Sequence, residues 1–176
     1  MSRKKILEKL EGGDMRSIGN VGEVVSDLLD DESLVSEVFE GILSKNTLIK
    51  MRASDALEKV SRTHPWYLQP FKSQLLDVVS QIEQQEVRWH VAQMLPRLEL
   101  EQNEISQALS LLTIWLESSR SNIVRVNSLQ ALADIAEKHA EHRPFAIRKL
   151  QEAMLCGSPA VINRGKKLIN TLMKKR

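Results

Sequence analysis

The segment Val124–Ile135, VRVNSLQALADI, decides the fold because it is one of four similar segments that align without gaps. The others begin at Ile49 (IKMRASDALEKV), Val87 (VRWHVAQMLPRL) and Val161 (VINRGKKLINTL), so the starts are 38, 37 and 37 residues apart. Each segment has apolar or small residues at offsets 0, 4, 7, 8 and 11. These offsets share one face of an α-helix. A stride of this length predicts helical repeats that stack on one another.

The residues between these segments have apolar stripes of their own, as in Ile105, Leu109, Leu112 and Leu116. Each repeat is therefore predicted to be a helix, a turn and a second helix. One such pair cannot bury both stripes, so neighbouring pairs must pack together. Pro96 falls within a predicted second helix, and a kink near residue 95 is expected.

Composition favours a globular helical protein. Hydrophobic residues make up 42% of the chain, charged residues 27% and aromatic residues only 4%, which leaves few strand-favouring residues. The single Cys156 cannot form an internal disulfide, so a reducing compartment, the cytoplasm, is expected. The chain has neither a signal-peptide pattern nor an apolar run long enough to span a membrane, so we predict no membrane association.

The aliphatic–Arg pairs Val87-Arg88 and Val124-Arg125, and the apolar pair Ala131-Leu132, resemble the second helix of HEAT repeats. Lys50 replaces Arg in the first unit and Ile162 replaces the base in the last, which makes the last unit atypical. The resemblance implies an all-α fold, a right-handed α–α superhelix (HEAT-like solenoid) of four to five helix pairs. It implies one domain over residues 1–176, with a cap or degenerate repeat at 1–32 and repeats at 33–63, 69–98, 103–139 and 142–175.

In HEAT-like solenoids the second helices line a concave binding surface. Three polar rows remain on these helices once the buried positions are removed, and they contain five basic and two acidic residues. The predicted partner-binding residues are Arg52, His90, Asn127 and Arg164; Asp55, Gln93, Gln130 and Lys167; and Lys59, Arg97, Asp134 and Thr171.

Other residues have a structural and a functional interpretation. The repeated base at Lys50, Arg88 and Arg125 is expected to tie one repeat to the next. Trp89 and Trp115 lie in apolar stripes and are expected to pack in the core. The pair Trp66-Tyr67 follows a predicted break and is a candidate partner contact.

No Gly-rich phosphate loop, HExxH motif, nucleophile elbow or kinase motif set is found, so we predict no catalytic residues and no cofactor. His139, His142 and Cys156 supply too few ligands at suitable spacing for a metal site. The sequence therefore favours a non-enzymatic scaffold or adaptor that binds a partner protein through its concave face.

The alternative is a DNA-binding or DNA-repair protein that resembles the HEAT-like alkylated-base DNA glycosylases. Residues 140–176 contain nine Lys or Arg and two Glu, whereas residues 21–44 contain seven acidic residues and no basic one. A basic end can attract a nucleic-acid backbone. Asp55 and Asp134 on the predicted binding face count against it, as does the absence of a Trp, Asp and Arg set that matches these glycosylases.

Overall fold

The computed structural model describes residues 4–174, and these residues form helices and connecting turns with no β-strand among them. The all-α prediction is confirmed. The α-helices are α1 (Lys4–Glu8), α2 (Val21–Asp30), α3 (Val35–Ile42), α4 (Thr47–Ser61), α5 (Lys72–Asp77), α6 (Gln85–Met94), α7 (Gln102–Ser118), α8 (Asn122–Lys138), α9 (Arg143–Leu155) and α10 (Pro159–Lys174).

The apolar positions of the four aligned segments belong to the buried core, as predicted. Every such position is buried except Ile169, which is half-buried. The small residues at offset 4 have a packing reason: a Cβ at Gly165 would lie 2.7 Å from Sδ of Met154 on the preceding helix. The periodicity therefore predicted the buried face of each second helix.

The chain forms two compact units, Met1–Leu98 and Glu99–Arg176. In unit 1, α3 packs on α4, and α4 also contacts α2 and α6. In unit 2, α7 packs on α8, α9 packs on α10, and α8 contacts α10. Second helices thus lie beside one another within each unit, α4 beside α6 and α8 beside α10. The superhelix and the single repeat domain stay predictions.

The first helix of the predicted repeat 69–98 is broken into short pieces. A 3-10 helix at Pro65–Phe71 precedes α5, and another at Val79–Gln81 follows it. Pro70 lies inside the first piece and has no backbone N–H to donate, which interrupts regular α-helical bonding. Pro96 has the expected effect, because α6 ends at Met94 and a 3-10 turn spans Leu95–Arg97.

The repeated arginines have the same contact in both units. Nε of Arg88 donates to the Ile82 carbonyl and Nε of Arg125 donates to the Leu116 carbonyl, each at 3.0 Å. Both acceptors lie at the end of the first helix of the same helix pair. The role is structural, as predicted, but these bonds tie the two helices of one repeat together instead of joining one repeat to the next.

Candidate protein-binding face

The side chain of Arg52 fastens the segment between α1 and α2 onto α4. Its guanidinium donates to the carbonyls of Leu10, Glu11 and Gly12 at 2.8, 3.2 and 2.6 Å. It also donates to the carbonyls of Asp14 and Ser17. Arg52 is only 1% exposed, so its charge is compensated by these backbone oxygens and is not presented on the surface.

Glycines allow this segment, residues 11–20, to wrap closely around the guanidinium. Gly13 and Gly19 have φ values of 77° and 53°, a region that favours glycine. A Cβ at Gly19 would lie 2.9 Å from Cζ of Arg52. We call residues 11–20 the latched loop, because Arg52 holds it.

Polar side chains of α4 and α6 lie close together in unit 1. Oδ1 of Asp55 accepts from the Lys59 ammonium one turn later and lies 3.5 Å from Nε2 of His90 on α6. Asp55 and His90 are 9% and 8% exposed. The indole N–H of Trp89 donates to Nε2 of His90 at 3.0 Å. Nε2 is therefore unprotonated, and the neutral ring carries its proton on Nδ1.

Burial lowers the pKa of His90, because the charged ring would lose its hydration. The carboxylates of Asp55 and Glu58 oppose this shift, as does the Glu86 carbonyl, whereas Lys59 adds to it. Nδ1 is buried and has no partner at good hydrogen-bond geometry, so the Glu86 carbonyl acts as a nearby dipole. The net direction favours neutral His90 near neutral pH.

Unit 2 has polar side chains in contact at equivalent repeat positions, and there a hydrogen bond joins the two second helices. Oε1 of Gln130 on α8 accepts from Arg164 on α10 at 2.8 Å, and Nε2 of Gln130 donates to Asp134 at 2.7 Å. Gln130 corresponds to Asp55 in the aligned segments, Arg164 to His90 and Asp134 to Lys59. We call the two sets polar triads: Asp55, His90 and Lys59 in unit 1, and Gln130, Arg164 and Asp134 in unit 2.

A cleft of about 310 Å³ lies above the triad of unit 1. The latched loop forms one wall, α4 the floor and α6 the other wall. Most of the surface that it exposes belongs to apolar atoms, although seven of its eleven lining residues are polar or charged, and the triad lies at its base. The lining residues are Met15, Arg16, Ser17, Ile18, Met51, Arg52, Asp55, Lys59, Glu86, Trp89 and His90.

Arg97 belongs to an ion network centred on a buried carboxylate. Its guanidinium donates to Oε1 of Glu58 at 2.8 Å and to Oγ of Ser61 at 2.7 Å, and Arg62 binds the other carboxylate oxygen of Glu58 at 2.6 Å. Glu58 is 1% exposed. Its burial would raise its pKa, but the hydrogen bonds and charges of Arg62 and Arg97 outweigh that effect and hold the pKa below its ordinary value. The network joins α4 to the turn after α6.

Three of the four remaining predicted residues bond to their own helices. The side-chain amides of Gln93 and Asn127 donate to the carbonyls of Trp89 and Ile123, and the Thr171 hydroxyl donates to the Lys167 carbonyl. Lys167 is exposed on α10. The structure thus brings together Arg52, Asp55, Lys59 and His90 in unit 1, and Gln130, Asp134 and Arg164 in unit 2.

Sequence reasoning missed the apolar wall of the cleft. Met15 and Ile18 are 42% and 58% exposed on the latched loop, and Trp89, expected to be a core residue, is half-buried at the cleft. Trp115 is buried as expected. Trp66 is 56% exposed whereas Tyr67 is buried, so only Trp66 of that pair can contact a partner. The sequence feature that could have indicated this wall is the set of loop glycines, Gly12, Gly13 and Gly19, which is typical of a tightly folded loop.

Comparison of the chain with models of protein families, with curated proteins and with solved structures gave no match. Among residues 4–174, no helix is long and apolar enough to cross a bilayer. The same residues contain no group of three or more His, Cys, Asp or Glu side chains arranged to hold a metal ion.

Proposed function

We propose that this chain is a non-enzymatic interaction module, a scaffold or adaptor that binds a partner protein through its second-helix faces. The cleft above the unit 1 triad carries the proposal. It combines an aromatic ring, two methionines and an exposed isoleucine with a buried polar base. Protein interfaces are enriched in Trp, Met and Arg, and their binding energy is concentrated in such pockets.

The HEAT-like superhelix belongs to the same proposal. The even stride of 38, 37 and 37 residues supports it. The equivalent Arg88 and Arg125 bonds support it as well, and so do the equivalent triads. In such a solenoid the second helices would line the concave side, where the triads would then lie. A cytoplasmic location is proposed on the earlier argument from Cys156.

The test is quantitative capture of partners from the native host with the full chain as bait. Ile18→Asp places a charge on the cleft wall, and Ile114→Asp on α7 is the matched control because both isoleucines are 58% exposed. A partner captured by the wild type and by Ile114→Asp, but lost with Ile18→Asp, is the expected result. If the pure protein turned over a substrate and captured no protein, the proposal would be wrong.

A DNA-binding function is the second candidate, and α10 favours it. Arg164, Lys166, Lys167 and Lys174 are exposed on this helix, which contains no acidic residue; Lys175 and Arg176 lie outside the described residues. Binding through phosphate contacts would fall steeply between roughly 50 and 200 mM salt. Fluorescence anisotropy with a short labelled duplex distinguishes the candidates, because an absence of binding at the lower salt concentration removes this one.

A further inference from the structure

We infer that the cleft of unit 1 accepts a peptide segment of a partner protein in which a large apolar side chain lies next to a carboxylate. This inference rests on the proposed function and assigns a partner chemistry to it.

The cleft is sized for side chains. Its volume of about 310 Å³ is at the lower end of the range of roughly 300–1,000 Å³ found for ligand pockets. That volume has room for one or two large side chains and not for a folded element. The occupant is therefore an anchor that projects from a segment lying across the opening.

The walls are built for an apolar anchor. Met15 and Met51 can adjust their shape to an incoming group, because methionine is unbranched and polarisable. Trp89 supplies a flat ring, which is held by its hydrogen bond to His90. Ile18 is 58% exposed, yet it lies on a loop whose backbone is fixed by Arg52. An apolar anchor would remove this surface from water without having to order the loop first.

The charges at the rim of the cleft determine which residue of the partner is favoured next to the apolar anchor. The Arg52 guanidinium bonds to backbone carbonyls, and the Lys59 ammonium pairs with Asp55. Among the described residues the Arg16 guanidinium has no such partner, and it lies on the loop wall. Glu86 lies on the opposite wall, where it accepts from the Gln85 amide. A carboxylate on the partner is therefore favoured on the loop side and disfavoured on the α6 side.

A nucleic-acid occupant fits this cleft poorly. Asp55 at the base and Glu86 on the wall are both carboxylates, and a phosphate placed in the cleft would face them. A second copy of this chain is another possible occupant of the cleft, and the experiment below distinguishes it from a partner peptide.

The probe is a phage-displayed library of random short peptides, selected on the full chain. Enriched peptides are synthesised and their affinities measured by fluorescence anisotropy. The expected consensus contains Leu, Phe, Met or Trp next to Asp or Glu. Ile18→Asp should weaken these peptides by about tenfold or more, as expected for a charge in an apolar anchor pocket. Ile114→Asp, which is equally exposed, should leave their affinities unchanged.

Charge reversal tests the carboxylate. Arg16→Glu should shift the preference toward synthetic peptides in which the acid is replaced by Lys, and Arg16→Ala should remove the preference for either. Circular dichroism should show the same helix content in these variants, because Arg16, Ile18 and Ile114 are all exposed.

Several outcomes would overturn the inference. One is a consensus without the apolar–acidic pair, and another is a set of peptides that bind Ile18→Asp as tightly as the wild type. A dimer, detected by sedimentation, that dissociates in Ile18→Asp would assign the cleft to a second copy. Peptides that ignore Ile18→Asp but are lost with Lys167→Glu would overturn this inference and leave the proposed function standing. A selection that enriches no peptide would count against both.

Discussion

The two polar triads occupy equivalent repeat positions but differ in their surroundings. In unit 1, Asp55 and His90 are almost fully buried at the base of the cleft that the latched loop walls on one side. In unit 2, Gln130 is half-buried and Arg164 is exposed. The repeat thus fixes which positions touch between neighbouring second helices, and what lies above them decides whether the contact is a surface bond or the base of a cleft.

The ion pairs of the units differ in the same way. Glu58 binds Arg62 and Arg97 while being 1% exposed. Lys149 in unit 2 binds Glu117 and Glu152, whose side chains are 57% and 49% exposed. Buried pairs lose much when one partner is removed, whereas exposed pairs contribute little. Unit 1 should therefore be the more sensitive unit to polar substitutions.

The largest effect is expected for Arg52→Ala. It removes the side chain that donates to five backbone carbonyls, so the carbonyls that stay buried against α4 lose their hydrogen-bond donor. We expect a loss of about 3 kcal/mol from the free energy of unfolding of unit 1. Amide hydrogen exchange in residues 10–19 should accelerate strongly. Arg16→Ala is the control and should leave that exchange unchanged, because the Arg16 side chain is exposed and makes no such bonds.

Glu58→Gln should come next, with a loss of about 2 kcal/mol near pH 7. The pKa of Glu58 is held below its ordinary value. The ionised carboxylate therefore stabilises the fold fully at a pH above the ordinary pKa, and this contribution is lost as the pH falls through the lowered pKa. The difference between wild type and variant, measured by urea unfolding, should therefore shrink in acid. Glu117→Gln is the unit 2 counterpart, and it should change stability by less than about 0.5 kcal/mol.

The two triads can be compared directly with Asp55→Ala and Gln130→Ala. The first removes the buried acceptor of the Lys59 ammonium, which lies beside His90, and should cost roughly 1–2 kcal/mol. The second removes a half-buried amide and should cost below roughly 0.5 kcal/mol. Native-state hydrogen exchange measures the loss of stability in each unit. Equal losses in the two units would contradict the difference in burial.

The smallest effect is the pH dependence due to His90. Because burial lowers the pKa of His90 in the folded protein, the unfolded chain binds the proton more tightly. The contribution of neutral His90 to the free energy of unfolding is fully present above the pKa of the unfolded chain, near 6.5. It is lost as the pH falls through that pKa toward the lowered pKa of the folded protein. His90→Gln should flatten this slope, and His139→Gln in unit 2 is the control. A slope that persists in His90→Gln would contradict the assignment.

Much of the fold could be predicted from sequence because burial on a helix follows local periodicity. Val124, Leu132 and their counterparts needed only the 3.6-residue period and the stride. The cleft could not be predicted in that way. Arg52 lies on the polar side of α4, where periodicity predicts exposure, but its acceptors are carbonyls 35 to 42 residues earlier in the chain. Backbone carbonyls leave no side-chain signature, and only the glycines of the latched loop marked the place.

Arg52 and the latched loop convert one of two equivalent triads into the base of a cleft. Hydroxyl-radical footprinting of wild type and Arg52→Ala tests it most directly, with Met51 as the reporter and Met173 as the internal control, since their exposures are 8% and 59%. We predict that Met51 is oxidised slowly in the wild type and several times faster in Arg52→Ala, while Met173 is unchanged. If Met51 were oxidised at the same rate in Arg52→Ala, while the loop amides of that variant exchanged freely, the latched loop would not be what covers Met51.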